Sequence, residues 1–156
     1  MPIMSPLSEE ARKVTGEALQ SAVADLVDLS LVAKQAHWNL IGPRFRSIHL
    51  QLDEIYDVAR RYTDTVAERA TAIGVSPDGC ADTVARESRV PAITKGWAKE
   101  DDVIDYFVSA LAAVVAAMRE RIDATERADA VSQDLFIAAT AELEKEYWMV
   151  QATQQT

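Results

Sequence analysis

The chain has 156 residues, 49% hydrophobic and 26% charged, a balance that predicts one globular domain over residues 1–156 with a sizeable core. Its formal net charge of −9 repels nucleic-acid phosphates and attracts cations, so metal ions suit it better than DNA as partners. The single cysteine, Cys80, has no disulfide or zinc-ligand partner at a suitable spacing, which predicts a reducing, cytoplasmic setting.

The N-terminal segment, about residues 1–7, is predicted to be flexible, and it lacks the pattern of a signal peptide. Ser8 is a typical helix N-cap with two acidic residues after it. From there to about Asn39, apolar residues recur every three or four positions, which predicts a long amphipathic helix that Gly42-Pro43 ends. No apolar run reaches the roughly 20 residues that a membrane-spanning helix needs.

A second helix is predicted from about Arg44 to Ile73, with Gly74 as its C-terminal cap. Its apolar positions form one stripe: Ile48, Leu52, Ile55, Ala59, Tyr62, Val66 and Ile73. Next to it on the helix surface lies a polar stripe, which contains His49, Asp53, Asp57, Arg60, Asp64 and Glu68. The two stripes predict one face for the core and another for a different task.

The rest of the chain predicts an all-α protein. Between residues 75 and 100 the periodicity fails, and we expect a long connection with a short helix around residues 81–87. Two more amphipathic helices follow at about 100–125 and 130–152, and no strand is predicted. Four long helices with the only long connection in the middle predict a ferritin-like four-helix bundle, in which the third helix starts beside the beginning of the second.

The polar stripe offers two pairs of metal-ligand types. His49 and Asp53 are four residues apart and share a helix face, as do Asp64 and Glu68. His49 and Asp64 cannot share an ion in one straight helix, because 15 residues rise about 22 Å. His37 precedes the Gly-Pro turn and could fold back toward His49 as a further ligand.

Two interpretations of this stripe stay open on the residues alone. It could be a solvated acidic face with an incidental histidine. Alternatively, two copies of the helix cross antiparallel about a two-fold axis, so that the first pair of one chain meets the second pair of the other and two identical sites form.

The motifs AHWNLIGPRF, SIHLQLDE and DTVAER closely resemble the Dps family of ferritin-like mini-ferritins, and the resemblance extends to VSQDLF and LEKEYWM. It implies ferroxidase ligands His37, His49 and Asp53 from one subunit, and Asp64 and Glu68 from its two-fold partner. The Glu-x-x-His pairs of standard ferritins are absent from the sequence.

The resemblance also implies an activity and an assembly. Family members oxidise Fe(II), typically preferring hydrogen peroxide to oxygen, and deposit ferric oxide in a hollow dodecamer of tetrahedral symmetry, which protects against oxidative damage. Up to two irons would bind at each intersubunit site. Imidazole and carboxylate ligands suit both oxidation states of iron.

Other residues carry weaker expectations. Trp38 and Tyr56 could each donate an electron near the iron, or could be core or interface aromatics. Arg60 is expected to form an ion pair, and Asp57 to be solvated or ion-paired. Acidic residues near the start of the fourth helix are either pore-lining groups at a three-fold axis or ordinary helix-terminus acids: Asp129 and Asp134, and more weakly Asp123 and Glu126.

Two rival functions remain on sequence grounds. A metal-dependent hydrolase of an amide or ester, such as an N-acyl amino acid, could use the same site, with Trp38 and Phe45 accommodating an acyl chain. A shell that associates with DNA without redox chemistry is the other. We expect at most weak DNA binding, because neither terminus carries a lysine-rich tail.

Overall fold

Five helices and two two-residue strands make up residues 3–154, the part of the chain that the computed structural model describes. In chain order they are α1 Glu9–Asn39, β1 Leu40–Ile41, α2 Phe45–Ala72, α3 Ala81–Glu87, β2 Ala98–Lys99, α4 Glu100–Thr125 and α5 Ala130–Gln154. The predicted four long helices and the short helix in the connection are confirmed, with ends within two residues of the predicted ones.

The four long helices pack into a bundle around one hydrophobic core. α1 packs against α2 and α4 against α5, and the two pairs meet through α1 with α4 and α2 with α5. Every apolar residue predicted for the core face of α2 is buried. None of the helices in residues 3–154 is long and apolar enough to cross a membrane.

Local signals fix the helix ends. The Ser8 side chain accepts a hydrogen bond from the backbone N–H of Ala11 at 3.3 Å, as an N-cap does. α2 ends in a Schellman motif: Gly74 (φ +76°) donates to the Thr71 carbonyl and Val75 to the Ala70 carbonyl. A left-handed residue is required there, which explains the glycine.

The expectation of no strand was wrong in one detail. β1 follows α1 directly, β2 precedes α4, and the two pair in parallel, Leu40 with Ala98 and Ile41 with Lys99. A two-residue strand carries no alternating pattern, so periodicity could not predict it. The pairing brings the start of α4 beside the start of α2, which confirms the predicted crossover.

A buried ion pair joins the two helix pairs. Asp25 on α1 and Arg121 on α4 are 1% and 3% exposed, and the Arg121 guanidinium donates to the Asp25 carboxylate. Arg121 Nε also donates to Ser21 Oγ at 3.0 Å, and the Arg89 backbone N–H donates to Asp25 at 2.8 Å. Burial lowers the pKa of Arg121, while Asp25 opposes that shift. These contacts anchor the connection after α3 onto the bundle.

The N-terminal segment is anchored at one end. Leu7 packs against the core, and its backbone N–H donates to Ser5 Oγ at 3.1 Å, whereas Met4 is exposed. The mobility predicted for residues 1–7 stays a prediction, and residues 1 and 2 lie outside the described range.

Candidate metal site

The two histidines lie together where the end of α1 meets the first turns of α2. Their rings stack, with centroids 3.5 Å apart. His37 Nδ1 lies 2.9 Å from the His49 carbonyl oxygen, and His49 Nδ1 lies 2.9 Å from the His37 carbonyl oxygen. A carbonyl only accepts, so each Nδ1 carries a proton, and in a neutral imidazole each Nε2 keeps a lone pair. The predicted return of His37 toward His49 is confirmed.

Asp53 lies beside this pair, one turn along α2 from His49. Its Oδ1 is 3.2 Å from His37 Nδ1 and accepts a hydrogen bond from the Lys34 ammonium. That hydrogen bond lowers the pKa of Asp53, and the nearby histidines lower it further against the opposing effect of burial. The carboxylate is therefore ionised at neutral pH. Two imidazoles and one carboxylate come together in one chain.

Asp64 and Glu68 lie further along α2, and both are exposed. Helix rise separates Asp64 from His49 by about 22 Å, so these carboxylates cannot complete the same site in one chain. Within residues 3–154, no group of three or more His, Cys, Asp or Glu side chains has the arrangement of a metal site. Sharing of the site between two subunits stays a prediction.

The aromatic residues near the histidines differ in exposure. Trp38 is 66% exposed, so within one chain it is not a core residue, and an interface or electron-donor role stays open. Tyr56 is half-buried, and the Lys34 ammonium lies 4.6 Å from its ring centroid, a cation–π contact. The ring of Phe45 stacks on His49 with centroids 4.7 Å apart.

Two other members of the polar stripe face solvent. Asp57 is exposed, as the solvated alternative for it requires. Arg60 is exposed as well, and the ion pair expected for it is not formed among residues 3–154 of a single chain.

The acidic residues predicted near a pore fall into two groups. Asp129 is 7% exposed and pairs with Arg69 at 2.7 Å. It also accepts hydrogen bonds from the Ser132 backbone N–H and hydroxyl, so it caps the start of α5. Of the two roles expected for Asp129, pore lining or capping of a helix end, these contacts within one chain match capping of a helix end. The other three candidates, Asp134, Asp123 and Glu126, are exposed.

Lys34 and Glu100 are the neighbours of the site that the sequence did not single out. Lys34 lies one turn before His37 on α1, a spacing that could have indicated contact with the same site. Glu100 binds Arg44 at the start of α2 across the bundle end, 56 residues away in sequence. No local pattern indicates such a contact.

Comparisons with known proteins identify relatives of this chain. A family model described as a ferritin-like domain matches residues 16–156. The DNA protection during starvation protein of Mycolicibacterium smegmatis is 33% identical over 150 residues, covering 94% of this chain and 80% of that protein. The fine tangled pili major subunit of Haemophilus ducreyi is 34% identical, covering 87% of this chain and 72% of the relative.

A solved structure gives the same fold. Dps from Microbacterium arborescens in its high iron form superposes with a TM-score of 0.91 at 31% identity, over 96% of this chain and 97% of that one.

Proposed function

The chain belongs to the Dps family of ferritin-like proteins, and from this premise we propose that it is a ferroxidase and iron-storage protein. Its substrates are Fe(II) and an oxidant, with hydrogen peroxide preferred to oxygen. Its product is Fe(III) mineral held inside a hollow dodecamer. Removing both Fe(II) and peroxide protects the cell, because together these reagents generate hydroxyl radical.

The pairing of the two imidazoles carries this proposal. Each Nδ1 is committed to a backbone carbonyl, so His37 and His49 each have only Nε2 left for a metal ion. Ionised Asp53, whose Oδ1 lies 3.2 Å from His37 Nδ1, is the oxygen ligand that the same chain contributes in this proposal. Nitrogen and oxygen donors together suit Fe(II), and the carboxylates suit the harder Fe(III) product.

A second subunit completes the site in this proposal. The exposed carboxylates of Asp64 and Glu68 reach the histidines of a partner if two α2 helices cross antiparallel about a two-fold axis. Up to two Fe(II) ions then bind at each such site. Each Fe(II) gives up one electron, and peroxide accepts two as its O–O bond breaks, so a pair of irons balances one peroxide.

Iron reaches the interior through acidic pores in the same assembly. Exposed Asp134, Asp123 and Glu126 lie around the start of α5, where three copies would concentrate cations. Asp129 supports this end of the chain as a helix cap. The high iron form of the Microbacterium arborescens relative supports iron as the substrate.

The rival functions lack such support. Hydrolysis of an amide or ester would use the same metal, with Trp38 and Phe45 beside the histidines for an acyl chain, but the relatives described above are named for iron, DNA protection or pili, not for hydrolysis. Direct binding to DNA is opposed by the net charge of −9. We therefore propose no more than weak association with DNA.

An anaerobic oxidation assay tests the proposal. Fe(II) is added to purified protein without oxygen, then peroxide below the stoichiometric amount, and ferric absorbance is followed. The wild type should oxidise iron rapidly, and an Asp64→Ala/Glu68→Ala variant should fall to the slow rate of free iron. Equal slow rates for both proteins would show that the ferroxidase assignment is wrong.

A matched control removes one acidic charge from the polar stripe but leaves the proposed ligands in place. Asp57→Ala removes an exposed carboxylate of the same helix face that lies outside the proposed ligand set. Its oxidation rate should match the wild type, which separates loss of ligands from loss of negative charge.

A further inference from the structure

The first turn of α2 has no capping side chain of its own. Its N-cap residue, Arg44, makes no side-chain cap hydrogen bond, so the N–H groups of this turn need partners from elsewhere. Glu100, in the first turn of α4, supplies one of these hydrogen-bond partners. Its Oε1 accepts from the Arg44 backbone N–H, and its Oε2 accepts from Arg44 Nε at 3.1 Å. One carboxylate, 6% exposed, thus binds both the backbone and the side chain at the start of α2.

Gly42 makes this approach possible. A Cβ atom at position 42 would lie 2.5 Å from Glu100 Cδ, well inside contact distance, and Gly42 has φ +147°, which other residues rarely adopt. The turn between α1 and α2 is therefore shaped around the Glu100 side chain.

The turn that Glu100 holds leads directly to the proposed ligands. Phe45 follows Arg44, and its ring stacks on His49, which in turn stacks on His37. The three rings form a row from the start of α2 to the end of α1. A shift of the Arg44–Phe45 backbone would remove the outer ring of this row and leave the His49 imidazole held from the His37 side only.

From these contacts we propose that Glu100 is a positioning residue for the metal site. By capping α2 from α4, it fixes Phe45 against His49 and so directs the Nε2 atoms of both histidines. This rests on the proposed function for what binds at Nε2, whereas the ring arrangement itself does not depend on any metal.

Three variants of the whole chain test it: Glu100→Ala, Glu100→Gln and Asp101→Asn. Asp101 is the matched control, because its exposed carboxylate binds the same arginine at Nη2 (2.6 Å) without touching the backbone. Two properties are measured on shells of equal size and well below each unfolding temperature. The first is carbethoxylation of the metal-free protein, which reports on its only two histidines. The second is the dissociation constant for Zn(II), a probe that undergoes no redox reaction.

We expect Glu100→Ala to speed histidine modification severalfold and to weaken Zn(II) binding about tenfold or more, the usual effect of losing a residue that orients ligands. Glu100→Gln keeps an acceptor for the Arg44 N–H, so its values should fall between those of the wild type and Glu100→Ala. Asp101→Asn should match the wild type. If Glu100→Ala does not fold, the Glu100→Gln protein carries the test with a smaller change in the same direction.

The proposal is overturned if the Glu100 variants lose only thermal stability while both measured properties match those of Asp101→Asn. Failure of the proposed function looks different. A site that binds metal without oxidising iron fails the anaerobic oxidation assay but still binds Zn(II), and a site that binds no metal fails both; in either case the histidine modification rates still decide whether Glu100 positions the rings.

Discussion

At the scale of single residues, the side chain of each histidine donates a hydrogen bond to the backbone carbonyl of the other. His37 lies in the last turn of α1, where carbonyl groups have no helical N–H partner, so its carbonyl is available to His49 Nδ1. The same contact fixes the tautomer of His49. A helix end next to a turn therefore provides both the space and the acceptor that the ligand pair needs.

Lys34 is the cation that binds the proposed ligand Asp53. Its ammonium binds Asp53 Oδ1, so in the proposed site it would compete with a metal ion for that oxygen. We predict that Lys34→Met tightens Zn(II) binding by a few-fold, since a pair whose side chains are 27% and 37% exposed is worth at most about 1 kcal/mol.

Titration of metal-free Lys34→Met and Lys34→Arg shells with Zn(II) checks this prediction. Lys34→Arg keeps the positive charge and should bind like the wild type. Weaker binding by Lys34→Met would mean instead that Lys34 supports the loaded site.

At the scale of elements, the helices were predictable and the contacts between them were not. Helices of 25 to 31 residues repeat their apolar pattern over many turns, so residues such as Leu52 and Phe107 identified the buried face. β1 and β2 are too short to show any pattern. Glu100 lies in a run of acids typical of a helix start, and nothing local distinguishes its cross-bundle role from that of Asp101.

Glu142 on α5 fastens that helix to α2. It accepts two hydrogen bonds from Arg61, at 2.8 and 2.6 Å, and one from the Tyr62 hydroxyl at 2.7 Å. These contacts, those of Arg61 first, lower the pKa of Glu142 from 4.5 to about 2. A carboxyl with a lowered pKa stabilises the fold when ionised, so its contribution is complete above pH 4.5 and is lost as the pH falls toward 2.

We predict that Glu142→Gln lowers the free energy of unfolding at pH 7 by at most about 1 kcal/mol, because Arg61 and Glu142 are 54% and 39% exposed. The difference from the wild type should shrink as the pH falls from 4.5 toward 2. Denaturant unfolding at a series of pH values measures it. Glu126→Gln, at an exposed carboxylate, is the control and should differ little at any pH. A difference that stays constant with pH would refute the assignment to ionised Glu142.

At the scale of the whole molecule, sequence patterns predicted the three side chains that lie together in one chain, His37, His49 and Asp53. They did not predict the residues that surround these three. The Gly-Pro turn brought His37 back to His49, and four-residue spacing placed Asp53 beside them. The contact of Glu100 depends on how helices dock, which periodicity does not encode. Lys34 could have been singled out from its spacing to His37, although its contact with Asp53 also depends on how α1 and α2 pack. The positions of Asp64 and Glu68 relative to a second chain remain a prediction, since they depend on the docking of two molecules.

Mixed shells decide whether one site takes ligands from two chains. His49→Ala removes a ligand from the first half-site, and Glu68→Ala removes one from the second, so each variant alone should lose rapid iron oxidation. In shells refolded from equal amounts of both, dimers of unlike chains regain one intact site each, and about a quarter of all sites should recover. If all ligands came from one chain, no mixture would recover, because every chain carries a damaged site. His37→Ala mixed with His49→Ala is the control: both changes damage the same half-site, so activity should stay at the level of the separate variants.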